Sequence, residues 1–453
     1  MSTRLNEYEN AVASAIISVD TIWGGDVNNP SGTGRVIADS YYSGKELPDC
    51  YAGEDADVLR KTGGAGAKNP DRDTVRAYLK RVQPTAHIEA MELLAKDFEP
   101  LRRDLVAGIA EALRVQFDLA LECIGEGPAV SYDRCVNASM GQPAKAVDTR
   151  EELRQVRELL GAVGENTPPG DSGLVEAVDA FRKRTWVGHE GIAAASARVI
   201  ADLEAQVEKN FAPHLPEPLR GVPRANVTFH LIQDAWFSGS MNYLGRQRKP
   251  DGTPLYEAEY EINAKIEKSQ AEFTHLVAHE VVPGHVTTFA LVQHLFHVGV
   301  AGFESTILTM NTRHSTLFEG IANAGLLLAY GVRTLGELPT AELQLGMALA
   351  GLEDAAKNNA SVFTYVDKMP ADEIKRRLRT ECLATQERAN KLTDAWAQHP
   401  LMGRAYMPSY RFGTDMVLEL LAKHGPEVMI PILFQAKGMC DCVTLPRLVP
   451  GSD

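Results

Sequence analysis

The segment that most restricts how this chain can fold is His279-Glu280-Val281-Val282-Pro283-Gly284-His285, set in the longer run from Phe273 to Phe289. Two imidazoles and a carboxylate within seven residues point to a metal site. The usual helical motif spaces its histidines four apart on one face, but these are six apart, which on a regular helix is about 120° around the axis. Pro283 lacks a backbone donor and clashes with the preceding turn, while Gly284 tolerates the dihedrals of a local bulge. The expected structure is a helix broken at Pro-Gly, with its second half swung so that His285 returns towards His279. Without that break the two are ordinary histidines beside a kink.

The chain around this segment has 453 residues, 44% hydrophobic and 23% charged, the make-up of a globular protein with a large core. A net charge of −14 leaves no basic surplus for phosphates, which argues against nucleic acid or an acidic membrane as partner. Residues Met1 to Asn10 are polar with no apolar leader, and no uncharged run reaches membrane-spanning length. Six scattered cysteines are the usage of a reduced chain. These features together predict a cytoplasmic protein.

Helical periodicity dominates the order of elements. It runs through Leu5 to Trp23, Thr74 to Ile124 with breaks at Pro84 and Pro100, Thr149 to Ala162, Leu174 to Arg184 and Ile192 to Phe211. Between the first two, Trp23 to Asp73 reads as a long irregular connection. A proline-rich segment from Pro213 to Pro223 divides the chain, so two parts are expected, 1–220 and 221–453, with one compact unit as the alternative. Strands are expected at Ala225–Ile232 and Ser240–Leu244, forming a small hairpin or sheet near 225–256. An edge strand there would bind a peptide backbone by strand addition; a purely structural hairpin fits the same residues. Glu257 to Gln270 reads as a charged helix, Phe303 to Val332 as helical, Thr340 as the cap of a helix to Tyr365, and Pro370 as the start of another to Gln398. The fold class is therefore mainly α.

A catalytic zinc takes three protein ligands and keeps one position open. Glu304 and Glu319 compete to be the third. Glu319 is the lone charge between Leu317 and Arg333, and burying it on so apolar a helix requires a compensating cation. Glu304, near a helix start, is explained by the helix dipole. Glu319 is the expected ligand. Asn323, one turn past it, and His275, one turn before His279, lie on the ligand faces, as partners of the ligands or as satisfied core residues.

His-Glu-x-x-Pro-Gly-His followed by Glu319-Gly320-Ile321-Ala322 resembles the bacterial family catalogued as domain of unknown function 885. That family is similar to the carboxypeptidase Taq and angiotensin-converting-enzyme type of gluzincin metallopeptidases. The resemblance covers about Phe273 to Tyr330, with an echo near the C-terminus, and Ile321 stands where the family usually has Trp. It implies a two-lobed helical fold around a cleft and one Zn2+ per chain on His279, His285 and Glu319. Glu280 would be the base that moves a proton from water to the leaving amine. By the same likeness Tyr410 is the oxyanion donor, Arg411 or His399 holds the substrate's terminal carboxylate, and Tyr406 belongs to the substrate-binding stretch. The implied activity is hydrolysis of short peptides, as a carboxypeptidase. A zinc hydrolase of another amide or ester uses the same ligands, and a silent metal-binding scaffold is the third alternative, though a scaffold needs no Glu280.

Overall fold

The computed structural model describes residues 5–27, 36–38, 46–188, 191–233, 239–263, 268–436 and 439–451. It is mainly α-helical, with a small three-stranded sheet immediately before the motif. The first helix, Glu7–Ile22, starts at a capping box in which Asn6 and Glu9 satisfy each other's backbone amides. It is buried almost all round from Ala11 onwards, not on one stripe, because helices Glu54–Thr62, Pro84–Ala95 and Pro100–Ile124 pack against it. The helix Glu54–Thr62 lies where an irregular connection was expected. Acids in its first turn and Arg60 and Lys61 in its last complement the dipole. Residues 28–35 and 39–45 of that connection lie outside the described residues.

The sheet corrects one expectation. Strands Val227–Ile232 and Gly239–Tyr243 form close to their expected positions, but they do not pair with each other. Between them sits Ala258–Asn263, parallel to the first and antiparallel to the second, where the sequence reads as a charged helix. Its period is two: Ala258, Tyr260 and Ile262 point into the core, and Glu259 and Glu261 point away. The helix after it begins only at Gln270, where Ser269 and Glu272 form a second capping box.

Two other expected helices are broken. Phe303 to Val332 contains a strand, Ile307–Thr309, and the helices Arg313–Asn323 and Gly325–Tyr330. Thr312 caps the first of these after a left-handed Asn311. The helix Ala341–Tyr365 runs from its Thr340 cap as predicted. The next, Ala371–Cys382, stops at left-handed Leu383 and does not continue to Gln398.

The main apolar core gathers the sheet and the helices from Ile192 to the C-terminal end around Phe273, Val277, Phe289 and Phe318. Residues from 11 to 138 form a second core, joined by Phe303, Ile307, Leu401 and Ala405. The helix Arg150–Ala162 packs on Ala341–Tyr365, and Gly170–Arg184 joins them in one apolar cluster that includes Val156, Leu174, Leu345 and Leu352. Two glycines permit one very close helix crossing. A Cβ on Gly320 would overlap the carbonyl oxygen of Gly413, and one on Gly413 that of Thr316. Helix Met407–His424 therefore lies directly on Arg313–Asn323, which sets Tyr406 and Tyr410 against Glu319.

Candidate metal centre

The helix Gln270–Glu280 ends at Val281, and a new helix, His285–His297, begins after Gly284. The chain between them folds back on the turn it has just left. A Cβ at Gly284 would overlap the carbonyl oxygens of Ala278 and His279, so no side chain fits there. The break brings the His279 and His285 rings to 4.7 Å between centroids, nearly perpendicular at 87°. Gly284→Ala is expected to push the second helix away and weaken metal affinity while the chain stays folded. Metal titration with circular dichroism checks this, and unchanged affinity would show that the turn does not set the ligand geometry.

Glu319 joins the pair. Its Oε2 lies 3.6 Å from His279 Nε2 and 3.7 Å from His285 Nε2, and all three residues are buried. Among the described residues they form a group of three ligand atoms lying within 4.8 Å of one another. Glu319 Oε1 accepts a 2.6 Å hydrogen bond from the Tyr406 hydroxyl, whereas Oε2 is buried with no hydrogen-bond partner among the described residues. Burial alone would raise the Glu319 carboxyl, but His285 and the Tyr406 hydroxyl outweigh it and hold it at about 2. Burial and the neighbouring His285 keep His279 well below its ordinary value, hence neutral. A bare, ionised oxygen facing two imidazole nitrogens is a donor set that fits a divalent cation.

The orientation of His279 is fixed from behind. Asn323 Nδ2 donates to Asp354 Oδ2 and to Thr414 Oγ1, each at 2.7 Å. A carboxylate only accepts, so Asn323 turns its Oδ1 to His279 Nδ1, 2.7 Å away. That nitrogen must carry the proton, leaving the Nε2 lone pair for a metal. His275 donates from Nε2 to the backbone carbonyl of Asn323 at 3.2 Å, so it braces the helix end, and its ring lies 6.4 Å from that of His279 between centroids. His285 has no equivalent brace among the described residues, where its buried Nδ1 finds no hydrogen-bond partner. Removing the Asn323 amide should cost roughly 10–100-fold in metal affinity, the usual effect of losing such a partner. Competition with a chelator on Asn323→Ala measures it, and wild-type affinity would reduce Asn323 to a packing role.

The other expected site residues divide in two. Glu280 lines the same cavity, with Oε1 4.0 Å from His279 Nε2. Tyr410 also lines it, donating to the Tyr406 hydroxyl at 2.8 Å, with Lys357 Nζ 3.4 Å from its ring centre. Tyr406 serves Glu319 through its hydroxyl. Arg411 is elsewhere: its guanidinium pairs with Glu152 and Asp415 and does not line this cavity. His399 packs beside Trp23 and Gly66, and burial holds it at about 4, so it is no cation. Glu304 is not held by a helix dipole. It is fully buried and pairs with Arg102 at 2.5 and 2.9 Å and with the Tyr8 hydroxyl at 2.9 Å.

No protein-family model and no curated protein matches the chain. Among solved structures it is similar to one described as "the putative lipoprotein from Colwellia psychrerythraea", with 14% identity and a TM-score of 0.51, over 85% of this chain and 67% of that one. A second, "a putative lipoprotein of unknown function from Shewanella oneidensis", is 14% identical with a TM-score of 0.47, over 82% of this chain and 71% of that one. What the first likeness shows is a shared fold. Among the described residues no helix is long and apolar enough to cross a membrane.

Sequence inspection missed much of the cavity wall, namely Lys268, Glu272, Glu353, Asp354, Lys357 and Arg388. Two signals were present. Ser269-Gln270-Ala271-Glu272 is a capping-box pattern, and Lys268, Glu272, His275 and His279 recur at helical spacing. Glu272 has a further partner in Arg182, a buried pair at 2.8 Å that anchors the start of the metal-site helix.

Proposed function

We propose that this chain is a zinc-dependent peptidase that cleaves short peptides. The observation that carries it is the buried Oε2 of Glu319, without a hydrogen-bond partner among the described residues, held between two imidazole nitrogens, with the carboxylate of Glu280 in the same cavity. The family resemblance of the motif and of Glu319-Gly320-Ile321-Ala322 points the same way. Zinc bound to His279, His285 and Glu319 would polarise a carbonyl and lower the pKa of water.

The protein's own groups do the rest. Glu280 accepts the proton of the attacking water and delivers it to the departing amine. Asn323 keeps His279 in the ligating tautomer, and Tyr406 keeps one Glu319 oxygen engaged so that the other faces inward. Tyr410 is a candidate donor to the developing oxyanion. Burial and the Glu319 charge hold its hydroxyl well above the ordinary range, so it stays protonated. Its proton now rests on Tyr406 and reaches substrate only when Tyr410 turns from that partner. The edge strand Gly239–Tyr243 contributes Gly239, Ser240 and Met241 to the cavity, where a peptide backbone would pair with it.

In this proposal the carboxyl end of the substrate is read by cations other than Arg411 and His399. Six free cysteines, five of them buried, suit a reducing compartment such as the cytoplasm. Metal analysis of purified protein together with a mixed peptide library tests the proposal. Near-stoichiometric zinc with cleavage is expected; a zinc-loaded protein that leaves the whole library intact would refute it.

A further inference from the structure

The cavity is a groove with a direction. Glu272, His275 and His279 line it along the helix Gln270–Glu280, and Lys268 lines it just before the Ser269 cap, so His279 stands at one end and Lys268 at the other. With a rise of about 1.5 Å per residue, the cap Ser269 and His279 lie about 15 Å apart along the axis, and Lys268 stands beyond that cap. The helix Ala341–Tyr365 supplies Ala350, Glu353, Asp354 and Lys357 to the same groove.

Between the metal group and the Lys268 end the groove's charges are paired among the described residues. Glu272 is paired with Arg182, and Lys357 with Asp354. At the far end two cations share one acid: Lys268 Nζ is 2.7 Å from Glu353 Oε2, and Arg388 Nη2 is 3.1 Å from Glu353 Oε1. The Arg388 guanidinium lies 4.5 Å from the centre of the Trp396 ring, and its buried Nε has no hydrogen-bond partner among the described residues. One carboxylate cannot neutralise both cations. A positive charge and a spare donor are left beside a partly enclosed space, where an incompletely paired cation is costly and an incoming anion is favoured. Arginine's planar fork suits a carboxylate in particular.

We infer that Lys268 and Arg388 form a subsite for a substrate carboxylate, set three to five residues from the bond that is cut at the metal group. The spacing comes from the groove, since an extended peptide advances about 3.3 Å per residue and the long stems of both cations reach part of the way back. The distance rests on the peptide reading above; the carboxylate subsite itself does not. The carboxylate is the peptide's own C-terminus or an Asp or Glu side chain. Either way the groove selects oligopeptides and disfavours removal of a single terminal residue.

Two arms test this. In the first, metal-free full-length protein is titrated by calorimetry with six-residue peptides as the free acid, the C-terminal amide, and an amide with Glu in the last position. The free acid should bind roughly tenfold or more tighter than the plain amide. Parity of the Glu-bearing amide with the free acid identifies any carboxylate as the ligand, and a preference for the free acid alone identifies the C-terminus. Arg388→Gln and Lys268→Met should each remove most of the difference. Equal binding of all three peptides by the unaltered chain, or no binding, overturns the subsite without requiring any variant to fold. In the second arm, zinc-loaded protein is given the same peptides and the products are read by mass spectrometry. Cuts three to five residues before the carboxylate support the spacing, and cuts one residue before it overturn the spacing. Charge-dependent binding without any cleavage would count against the peptidase proposal alone. Cleavage without charge dependence would count against the subsite alone.

Discussion

Glu280→Gln is expected to keep its metal and to lose roughly 10²–10⁴-fold in kcat/KM, the usual contribution of a positioned general base. Glutamine preserves the size of the side chain and its place at the end of the helix Gln270–Glu280, so the turn after it should close as before. It removes only the ability to accept and return a proton. Glu280 is not among the three residues whose ligand atoms converge, and its own oxygen stands 4.0 Å from His279 Nε2, near enough to serve a water held beside that nitrogen. Because the proton is transferred only in the reaction itself, kcat and kcat/KM should fall together with KM little changed. Metal content by mass spectrometry and steady-state kinetics on one preparation decide the matter. Activity within a few-fold of the unaltered chain would remove Glu280 from the mechanism, and loss of metal would make it a ligand.

The contrast between Glu280 and Arg411 shows which parts of the site could be seen in the sequence. The motif is local, and the two residues that break the helix lie inside it, so His279, Glu280 and His285 were legible together. Glu319 was legible because a lone acid on an apolar helix is costly without a cation. Arg411 was placed beside Tyr410 because it is adjacent in sequence. Adjacent residues on a helix point about 100° apart, so with Tyr410 lining the cavity its neighbour is turned towards Glu152 and Asp415. His399 was misplaced for another reason: its neighbours, Trp23 and Gly66, come from the start of the chain and leave no local trace. The same holds for Lys268, Glu353 and Arg388, which three separate segments bring together. The strand Ala258–Asn263 was obscured by its glutamates, whose alternation with Tyr260 and Ile262 was the better signal than their charge.

Substitution of the two competing acids should separate metal binding from stability. His279→Ala, His285→Ala and Glu319→Ala each remove a donor from a set of three, so each should weaken metal binding by more than the roughly 10–100-fold expected of an outer partner such as Asn323. Glu319→Ala removes one bond, from Tyr406 to Oε1, and an Oε2 that has no hydrogen-bond partner among the described residues, so the metal-free protein should lose less stability than on Glu304→Ala. Glu304→Ala should do the reverse. Its fully buried carboxylate accepts two bonds from Arg102, which is 27% exposed, and one from Tyr8, so its removal leaves a partly buried guanidinium and a hydroxyl unpaired far from the metal group. Breaking a buried pair in this way costs up to about 3–5 kcal/mol, while zinc stoichiometry in the folded protein stays near one. The two variants are compared by metal analysis and by chemical denaturation of the metal-free forms. If Glu304→Ala loses the metal and Glu319→Ala retains it, the third ligand is misassigned, and the partnerless oxygen facing His279 and His285 needs another explanation.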